Sequence, residues 1–279
     1  MLTAAPPLAW AGIRVTCAAA ILLALAITSH GLRVPKRDLA RLALYAFFGV
    51  ALNQILFTEG LARTTPAHSA LLNTTIPVST FFFAFVLGRE AITKLRTGGL
   101  VVAMIGVLVL LRVENFTLSQ ETVLGDVLTV CNASSFGLFL VLSRNIARRY
   151  PPLVTTAWTM FWGALLIDSY GFGALRDMDW TLFQDTGIAL AAGFVIVFAT
   201  VIAYLLNYFA LSRVESSTVA LFIYLQPILA TALSIGLGQE SLTLRFVLSA
   251  ALIFLGVYVV NAEGLRARRR ARREQRTAG

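Results

Sequence analysis

Apolar residues occur in long uninterrupted blocks along almost the whole chain, and short polar turns separate these blocks. A block of about twenty apolar residues can cross the hydrocarbon core of a bilayer as a helix. Strands of a membrane barrel would instead alternate apolar with polar residues. The pattern therefore predicts nine membrane-spanning helices, with approximate ranges 7–28, 39–60, 67–87, 95–112, 125–147, 152–170, 187–209, 216–237 and 244–262.

The segment from Leu61 to Val109 recurs 150 residues further along the chain. The two copies share 12 identical residues over 49 ungapped positions, whereas average composition gives roughly four or five matches by chance. Pro77 matches Pro227, and Gly88 matches Gly238 at the start of a common Gly-x-Glu-x-x-Thr run. These matches predict an internal duplication.

The offset of 150 residues contains five predicted spans, an odd number, so the two copies must cross the membrane in opposite directions. Inverted repeats are a recurrent plan of secondary transporters, which hold the substrate near the membrane midplane. We therefore expect an all-α membrane protein, an inverted-repeat helical transporter bundle. The first repeat is predicted over 1–118, the second over 124–263, and a basic cytoplasmic tail over 264–279. The first repeat lacks the counterpart of one helix, which we expect to precede Met1 as a tenth span; a protein that works with nine spans is the alternative.

Composition agrees with a membrane protein, because 58% of the residues are apolar and only 13% are charged, unlike the balance of soluble domains. The lysines and arginines behind the net charge of +9 lie mostly in alternate loops and in the tail from Arg266 to Arg276. Since such loops stay in the cytoplasm, the C-terminus is predicted to be cytoplasmic, and topology accounts for the charge without nucleic acid. Two cysteines and two histidines make no convincing metal site, so neither a metal nor a cofactor is predicted.

An ordered series of short motifs resembles the EamA-type transporters of the drug/metabolite transporter (DMT) superfamily. The motifs are Ala11-Gly-Ile-Arg14, Ala70-Leu-Leu with Pro77, Leu87-Gly-Arg-Glu90, Gly125-Asp126, Ala220-Leu with Gln226-Pro227, and Leu237-Gly-Gln-Glu240. The resemblance implies ten helices in two inverted five-helix repeats and both termini in the cytoplasm. It also implies the cytoplasmic membrane of a bacterium and the export of amino acids, related metabolites or drugs.

The predicted function is export of a small molecule by alternating access, with the lipid bilayer as the surrounding partner. An uncoupled facilitator or flippase of the same fold is an alternative, as is an incomplete chain that transports only with a partner. An enzyme is not expected, because the chain carries no Gly-x-Ser-x-Gly, His-Glu-x-x-His or phosphate-binding glycine motif. A monomer and a homodimer both remain open.

Polar residues inside the predicted spans are candidates for the substrate site, because an unpaired polar group in hydrocarbon costs several kcal/mol. Such groups face either a cavity or one another across helices. Arg14 is a candidate for holding an anionic group, and the alternative is that its side chain extends outwards to the membrane surface. Trp158 and Trp162 are candidates for an aromatic wall. The remaining candidates are Asn53, Gln54, Asn132, Tyr204, Asn207 and Tyr208.

Pro77 and Pro227 occupy equivalent mid-span positions in the two copies. Each removes a backbone donor and leaves the carbonyl four residues earlier, at Asn73 and Ile223, without its helical partner. The two prolines are therefore predicted to act as hinges, with static kinks as the alternative.

Overall fold

The computed structural model describes residues 6–91, 93–116, 119–239 and 241–277, with side chains except those of Asn115 and residues 263–277. Glu240 of the repeated run and the arginine side chains of the predicted tail lie outside this description. The described chain is helical and contains no strand. Its nine long helical segments are α1 Pro7–Ser29, α2 Lys36–Leu61, α3 Pro66–Val86, α4 Lys94–Leu110, α5 Val123–Ala147, α6 Pro152–Tyr170, α7 Thr186–Arg213, α8 Ser216–Gly236 and α9 Leu244–Thr277.

Seven helices in the described part of the chain are long and apolar enough to cross a membrane, so the protein is a multi-pass membrane protein. The other two long segments are α4, with 17 residues, and α6. The α6 helix contains the buried threonines Thr155, Thr156 and Thr159 at positions inside the bundle, where apolar residues are usual in a span. These threonines donate to carbonyls of their own helix, which satisfies their hydroxyls inside the bundle. Nine spans, rather than seven, stay a prediction.

The apolar part of α9 ends at Ala262, but the helix continues to Thr277 through the basic segment. Between the long helices lie only short elements. These are 3-10 turns at Val113–Asn115 and Trp180–Gln184 and a single helical turn at Phe172–Arg176.

Two of the helices contain a π-helical stretch, at Phe47–Leu52 in α2 and Val195–Ile202 in α7. Such stretches interrupt the regular hydrogen-bond ladder of a helix and often occur at functional sites. Gly49 in the first stretch packs against the ring of Phe139 in α5, where a Cβ atom would collide with the ring. The carbonyl of Gly49 accepts a hydrogen bond of 2.9 Å from the hydroxyl of Tyr204 in α7. The irregular backbone of α2 therefore lies where α2, α5 and α7 meet.

Both α3 and α8 are interrupted beside a proline. Proline lacks an N–H and clashes with the carbonyl four residues earlier, and in both helices the interruption lies just before Pro77 or Pro227. The regular parts are Pro66–Asn73 and Ile76–Val86 in α3, and Ser216–Leu221, a 3-10 turn at Phe222–Tyr224 and Leu225–Gly236 in α8. The role of these interruptions as hinges stays a prediction.

The helices α4 and α9 approach each other through glycines and run in opposite directions. A Cβ atom on Gly99 would lie 2.9 Å from the carbonyl oxygen of Gly256, and one on Gly106 would lie 2.9 Å from that of Ser249. Small residues permit this approach of two backbones within a membrane. The later position on α4 meets the earlier position on α9, which fixes the antiparallel direction.

Candidate functional site

We name the two ends of the bundle after the residues that begin α1 and α2. The Pro7 end holds the turns after α2, α4, α6 and α8, and the Lys36 end holds the turns after α1, α3, α5 and α7. A cavity of about 570 Å³ lies between α1, α2 and α7 and extends to the Pro7 end, where Pro7 and Leu61 line its rim. Its other lining residues include Trp10, Arg14, Gln54, Phe57, Thr58 and Val195.

The polar centre of this cavity joins two of the predicted site residues. Arg14 lies about 10 Å along α1 from Pro7, and its Nη2 donates to Oε1 of Gln54 at 2.7 Å. Tyr204 packs partly buried against the core cluster between α1 and α6. Its hydroxyl bonds to Gly49 on the same helix as Gln54. The structure thus brings Arg14 and Gln54 together in the cavity. Tyr204 of α7 contacts α2 about one turn away from Gln54.

Three asparagines form a chain of hydrogen bonds between α2, α5 and α3. The amide nitrogen of Asn53 donates to the side-chain oxygen of Asn132. The amide nitrogen of Asn132 donates in turn to the side-chain oxygen of Asn73 at 3.1 Å. Asn53 and Asn132 are both buried. These amides therefore bond to one another across helices. This is the alternative to lining a cavity that the sequence left open.

The remaining candidates lie outside the lining of the cavity. Tyr208 is fully buried, and its hydroxyl forms a bond of 2.6 Å with the hydroxyl of Thr159. The indole of Trp158 donates to the carbonyl of Leu32 at 3.2 Å, near the Lys36 end. The indole nitrogen of Trp162 is buried without a hydrogen-bond partner among the described residues. Asn207 is half-buried on α7, one turn closer to the Lys36 end than Tyr204. Roles in substrate binding for these four residues stay predictions.

Sequence reasoning did not select Trp10 for the site. Its indole lines the cavity and lies 6.4 Å, between ring centroids, from the ring of Phe183. Trp10 precedes Arg14 by four residues, so both side chains project from the same face of α1. This spacing was the available signal.

Buried polar contacts join the helices at the Lys36 end. The carboxylate of Glu90, which follows α3, accepts from the backbone N–H of Ser216 at 2.7 Å and from the hydroxyl of Ser217. It therefore caps the first turn of α8, where backbone N–H groups lack helical partners. The guanidinium of Arg144 lies 3.7 Å from the same carboxylate and donates to the carbonyl of Val214 at 3.2 Å.

A second buried ion pair lies beside this cap. Nη2 of Arg96 in α4 is 2.6 Å from the carboxylate of Glu215, immediately before α8, and the Arg96 side chain is only 7% exposed. Asp38 at the start of α2 accepts from Arg41 at 2.7 Å and from the hydroxyl of Tyr150 at 2.8 Å. Charged groups at the Lys36 end therefore join segments that are distant in sequence, as Arg96 joins Glu215 and Tyr150 joins Asp38.

A smaller polar cluster at the Pro7 end links α3 to the start of α5. Asp126 accepts from the hydroxyl of Thr64, and Nδ1 of His68 lies 3.3 Å from the same carboxylate. No group of three or more histidine, cysteine or acidic side chains suited to a metal ion occurs in the described part of the chain.

Comparison with known proteins gives one family match and many distant relatives. The EamA-like transporter family matches residues 1–112 and 123–262. A protein of Archaeoglobus fulgidus, described as an uncharacterized transporter, is 24% identical over 254 residues, which cover 91% of this chain and 88% of that protein. The uncharacterized transporter YyaM of Bacillus subtilis is 26% identical over 257 residues, which cover 90% and 83%. A WAT1-related chloroplastic protein of Arabidopsis thaliana is 23% identical over 235 residues, which cover 79% and 54%.

A solved crystal structure has the same fold, with a TM-score of 0.77. It is 22% identical in sequence, and the match covers 95% of this chain and 90% of that chain.

Proposed function

Because the chain belongs to the EamA-like transporter family, we propose that this membrane transporter exports small organic molecules by alternating access. Amino acids, related metabolites and drugs are the proposed substrate range. The single observation that carries the proposal is the contrast between the two ends. A cavity extends to the Pro7 end, whereas buried ionic contacts join the helices at the Lys36 end.

Contacts between α4 and α9 support an inverted repeat, with the first copy over 1–118 and the second over 124–263. An offset of 150 residues relates Gly99 to Ser249 and Gly106 to Gly256. In the structure Gly99 meets Gly256, and Gly106 meets Ser249. Gly99 thus contacts the counterpart of Gly106, and Gly106 contacts the counterpart of Gly99. This is the pattern of a two-fold interface between equivalent surfaces.

The irregular backbone supports the same relation. The π-helical stretch at Phe47–Leu52 shifts by 150 residues onto 197–202, which lies inside the second stretch at Val195–Ile202. The interruption at Thr74 and Thr75 likewise shifts onto Tyr224 and Leu225, where α8 changes from a 3-10 turn to an α-helix. Two halves with the same irregularities in opposite directions can exchange conformations, which gives alternating access a structural basis.

We assign the Lys36 end to the cytoplasm of a bacterial cell. Arginines and lysines cluster in its turns, including Arg33, Lys36, Arg37, Arg89, Arg144, Arg148 and Arg149, and such clusters favour the cytoplasmic side. The helix α9 runs from the Pro7 end and carries the basic segment 264–277 beyond the Lys36 end. The cavity then opens to the outside, and the described conformation is the outward-open one.

A cavity-filling substitution tests export directly. Cells that express the protein are compared for secreted metabolites by mass spectrometry, using the wild type, Thr58→Trp and Thr97→Trp. Thr58 lines the cavity, whereas Thr97 is exposed on α4 and serves as the matched control. We expect at least one metabolite to accumulate outside cells with the wild type and Thr97→Trp, but not with Thr58→Trp. Equal secretion by the wild type and Thr58→Trp would overturn the proposal.

Counterflow in liposomes then separates export from facilitated diffusion. The secreted metabolite is offered to the purified protein with and without a pH or sodium gradient. Accumulation against the concentration gradient of the metabolite supports coupled export. Equilibration alone supports the uncoupled facilitator, and no movement of the metabolite supports a chain that requires a partner.

A further inference from the structure

Arg14 forms no ion pair with the described residues, whereas several other cationic side chains in the described chain do. Those side chains each lie within reach of a carboxylate, as Arg63 does with Glu59 and Arg245 with Glu114. No carboxylate lies within 4.0 Å of the Arg14 guanidinium among the described residues, and its hydrogen bond goes to the neutral amide of Gln54. Its Nε atom is buried and has no hydrogen-bond partner among the same residues.

The carboxylate of Asp168 packs against α1 but bonds to a different face of this helix. The carboxylate of Asp168 in α6 accepts from the hydroxyl of Thr16 at 2.5 Å and packs against Gly12. Gly12 and Thr16 are four residues apart and share one face of α1, while Arg14 lies two residues from each and projects from another face. Among the residues that the structure describes, no carboxylate therefore reaches Arg14 on the cavity face of α1.

A guanidinium stays charged at any pH that proteins tolerate, and an uncompensated charge inside a membrane protein is costly. A carboxylate bound in the cavity would supply both the missing charge and an acceptor. Guanidinium groups bind carboxylates with two parallel hydrogen bonds, since the spacing of donors matches that of the two oxygens. Gln54 holds one side of the Arg14 guanidinium in place for such a contact.

Apart from Thr58, the rest of the cavity is lined by apolar residues. Trp10, Phe57, Leu61 and Val195 line it around the polar pair, and its volume of about 570 Å³ lies within the range of about 300–1,000 Å³ for small-molecule sites. An inorganic ion would leave these walls without a partner, and a cation would meet the charge of Arg14. We propose that the cavity binds an amphipathic carboxylate, with its carboxylate on Arg14 and its apolar or aromatic body between Trp10 and Phe57. This substrate class rests on the proposed function, since it places the substrate in the cavity of the exporter.

Equilibrium binding to the full chain in non-ionic detergent tests this site by calorimetry. The probes share one aromatic body and differ only in the polar group: 3-phenylpropionate, 3-phenylpropanamide and 3-phenylpropylamine, with inorganic phosphate as a bare anion. We expect the wild type to bind the acid at least about tenfold more tightly than the amide, because charge-assisted bonds are the stronger ones. Weaker binding of the amine and of phosphate is also expected.

Substitutions assign the preference to Arg14. Arg14→Gln should weaken binding of the acid by about 10- to 100-fold and leave binding of the amide unchanged, so that the two probes bind alike. Arg14→Lys should keep part of the preference, because it keeps the charge but not the paired donors. Arg63→Gln is the matched control, since Arg63 is exposed at the same end and pairs with Glu59; it should change neither affinity.

Three results would overturn the carboxylate site: equal binding of acid and amide to the wild type, failure of the acid to bind, or an unchanged preference in Arg14→Gln. Phosphate binding as tight as that of the acid would likewise reject the apolar part of the site. Counterflow with the same wild-type protein separates this result from the proposed function. Transport of another compound without acid preference rejects the carboxylate site and keeps export, whereas acid preference without any counterflow keeps the site and rejects export.

Discussion

Arginines inside the helix bundle have different partners at its two ends. At the Lys36 end, Arg96 meets Glu215 and the carboxylate of Glu90 caps α8. At the Pro7 end, Arg14 faces a largely apolar cavity with a neutral amide as its partner. Paired charges fix helices to one another, because separating them leaves each without compensation. An arginine without an internal anion can instead accept one from outside the protein. We therefore assign closure to one end and binding to the other.

The largest effect is expected at the Glu90 cap. Glu90→Ala removes the acceptor of the Ser216 N–H and the Ser217 hydroxyl, together with a carboxylate 3.7 Å from Arg144. Breaking a buried charged contact costs about 3–5 kcal/mol, so the melting temperature in detergent should fall clearly. Transport should also fall, because the Lys36 end no longer closes. Glu90→Gln keeps an acceptor oxygen and should lie between the wild type and Glu90→Ala; an unchanged melting temperature in Glu90→Ala would contradict closure by this cap.

A smaller effect is expected at the contact between α4 and α9. Gly106→Leu places a side chain against Ser249 and Ile253, and overpacking of this kind costs about 1–3 kcal/mol. Gly98→Leu on the same helix is the matched control, since no described atom beyond its own stretch of helix lies within 4 Å of a Cβ at Gly98. Thermal unfolding in detergent should show a loss of stability for Gly106→Leu alone. Equal losses in the two variants would show that leucine is disfavoured throughout α4 and would remove the support for a close α4–α9 contact.

The smallest effect is expected at an exposed ion pair of the Pro7 end. A hydrogen bond with its own backbone and the contact with Arg245 lower the pKa of Glu114. Because this pKa is lowered on folding, the contribution of the carboxylate is present at neutral pH and is lost as the pH falls through the folded pKa. Exposed ion pairs contribute little to stability. Glu114→Gln should therefore have the same melting temperature as the wild type at neutral pH. A large destabilisation by Glu114→Gln would show that closure also operates at the Pro7 end.

The sequence predicted well those features that depend on local periodicity and on composition. Apolar blocks located the helices to within a few residues, apart from the C-terminal end of α9, and the prolines located the interruptions of α3 and α8. Of the candidate residues, Arg14 and Gln54 meet in one cavity because both lie toward the same end of neighbouring helices. The family membership predicted from short motifs is confirmed by the match over residues 1–112 and 123–262.

Features that depend on how the helices pack against one another could not be predicted from local periodicity or composition. Trp158 and Trp162 share a helical face by spacing, but spacing does not say which neighbour that face meets, and Trp158 bonds to Leu32. Glu90 and Ser216 are 126 residues apart, so their contact depends on how distant segments pack. The π-helical stretches contain no proline or other local signal; tertiary packing around Gly49 accompanies the first of them.

Accessibility of single cysteines tests the difference between the two ends most directly. Cys17 and Cys131 are first replaced by alanine, and a cysteine is placed either at Thr58 in the cavity or at Thr218, which is buried near the Glu90 cap. A membrane-impermeant maleimide is then applied to right-side-out vesicles. We predict rapid labelling of Thr58→Cys and protection of Thr218→Cys. Labelling of Thr218→Cys as fast as that of Thr58→Cys, or of Thr58→Cys only in inside-out vesicles, would contradict an outward-open cavity above a closed cytoplasmic end.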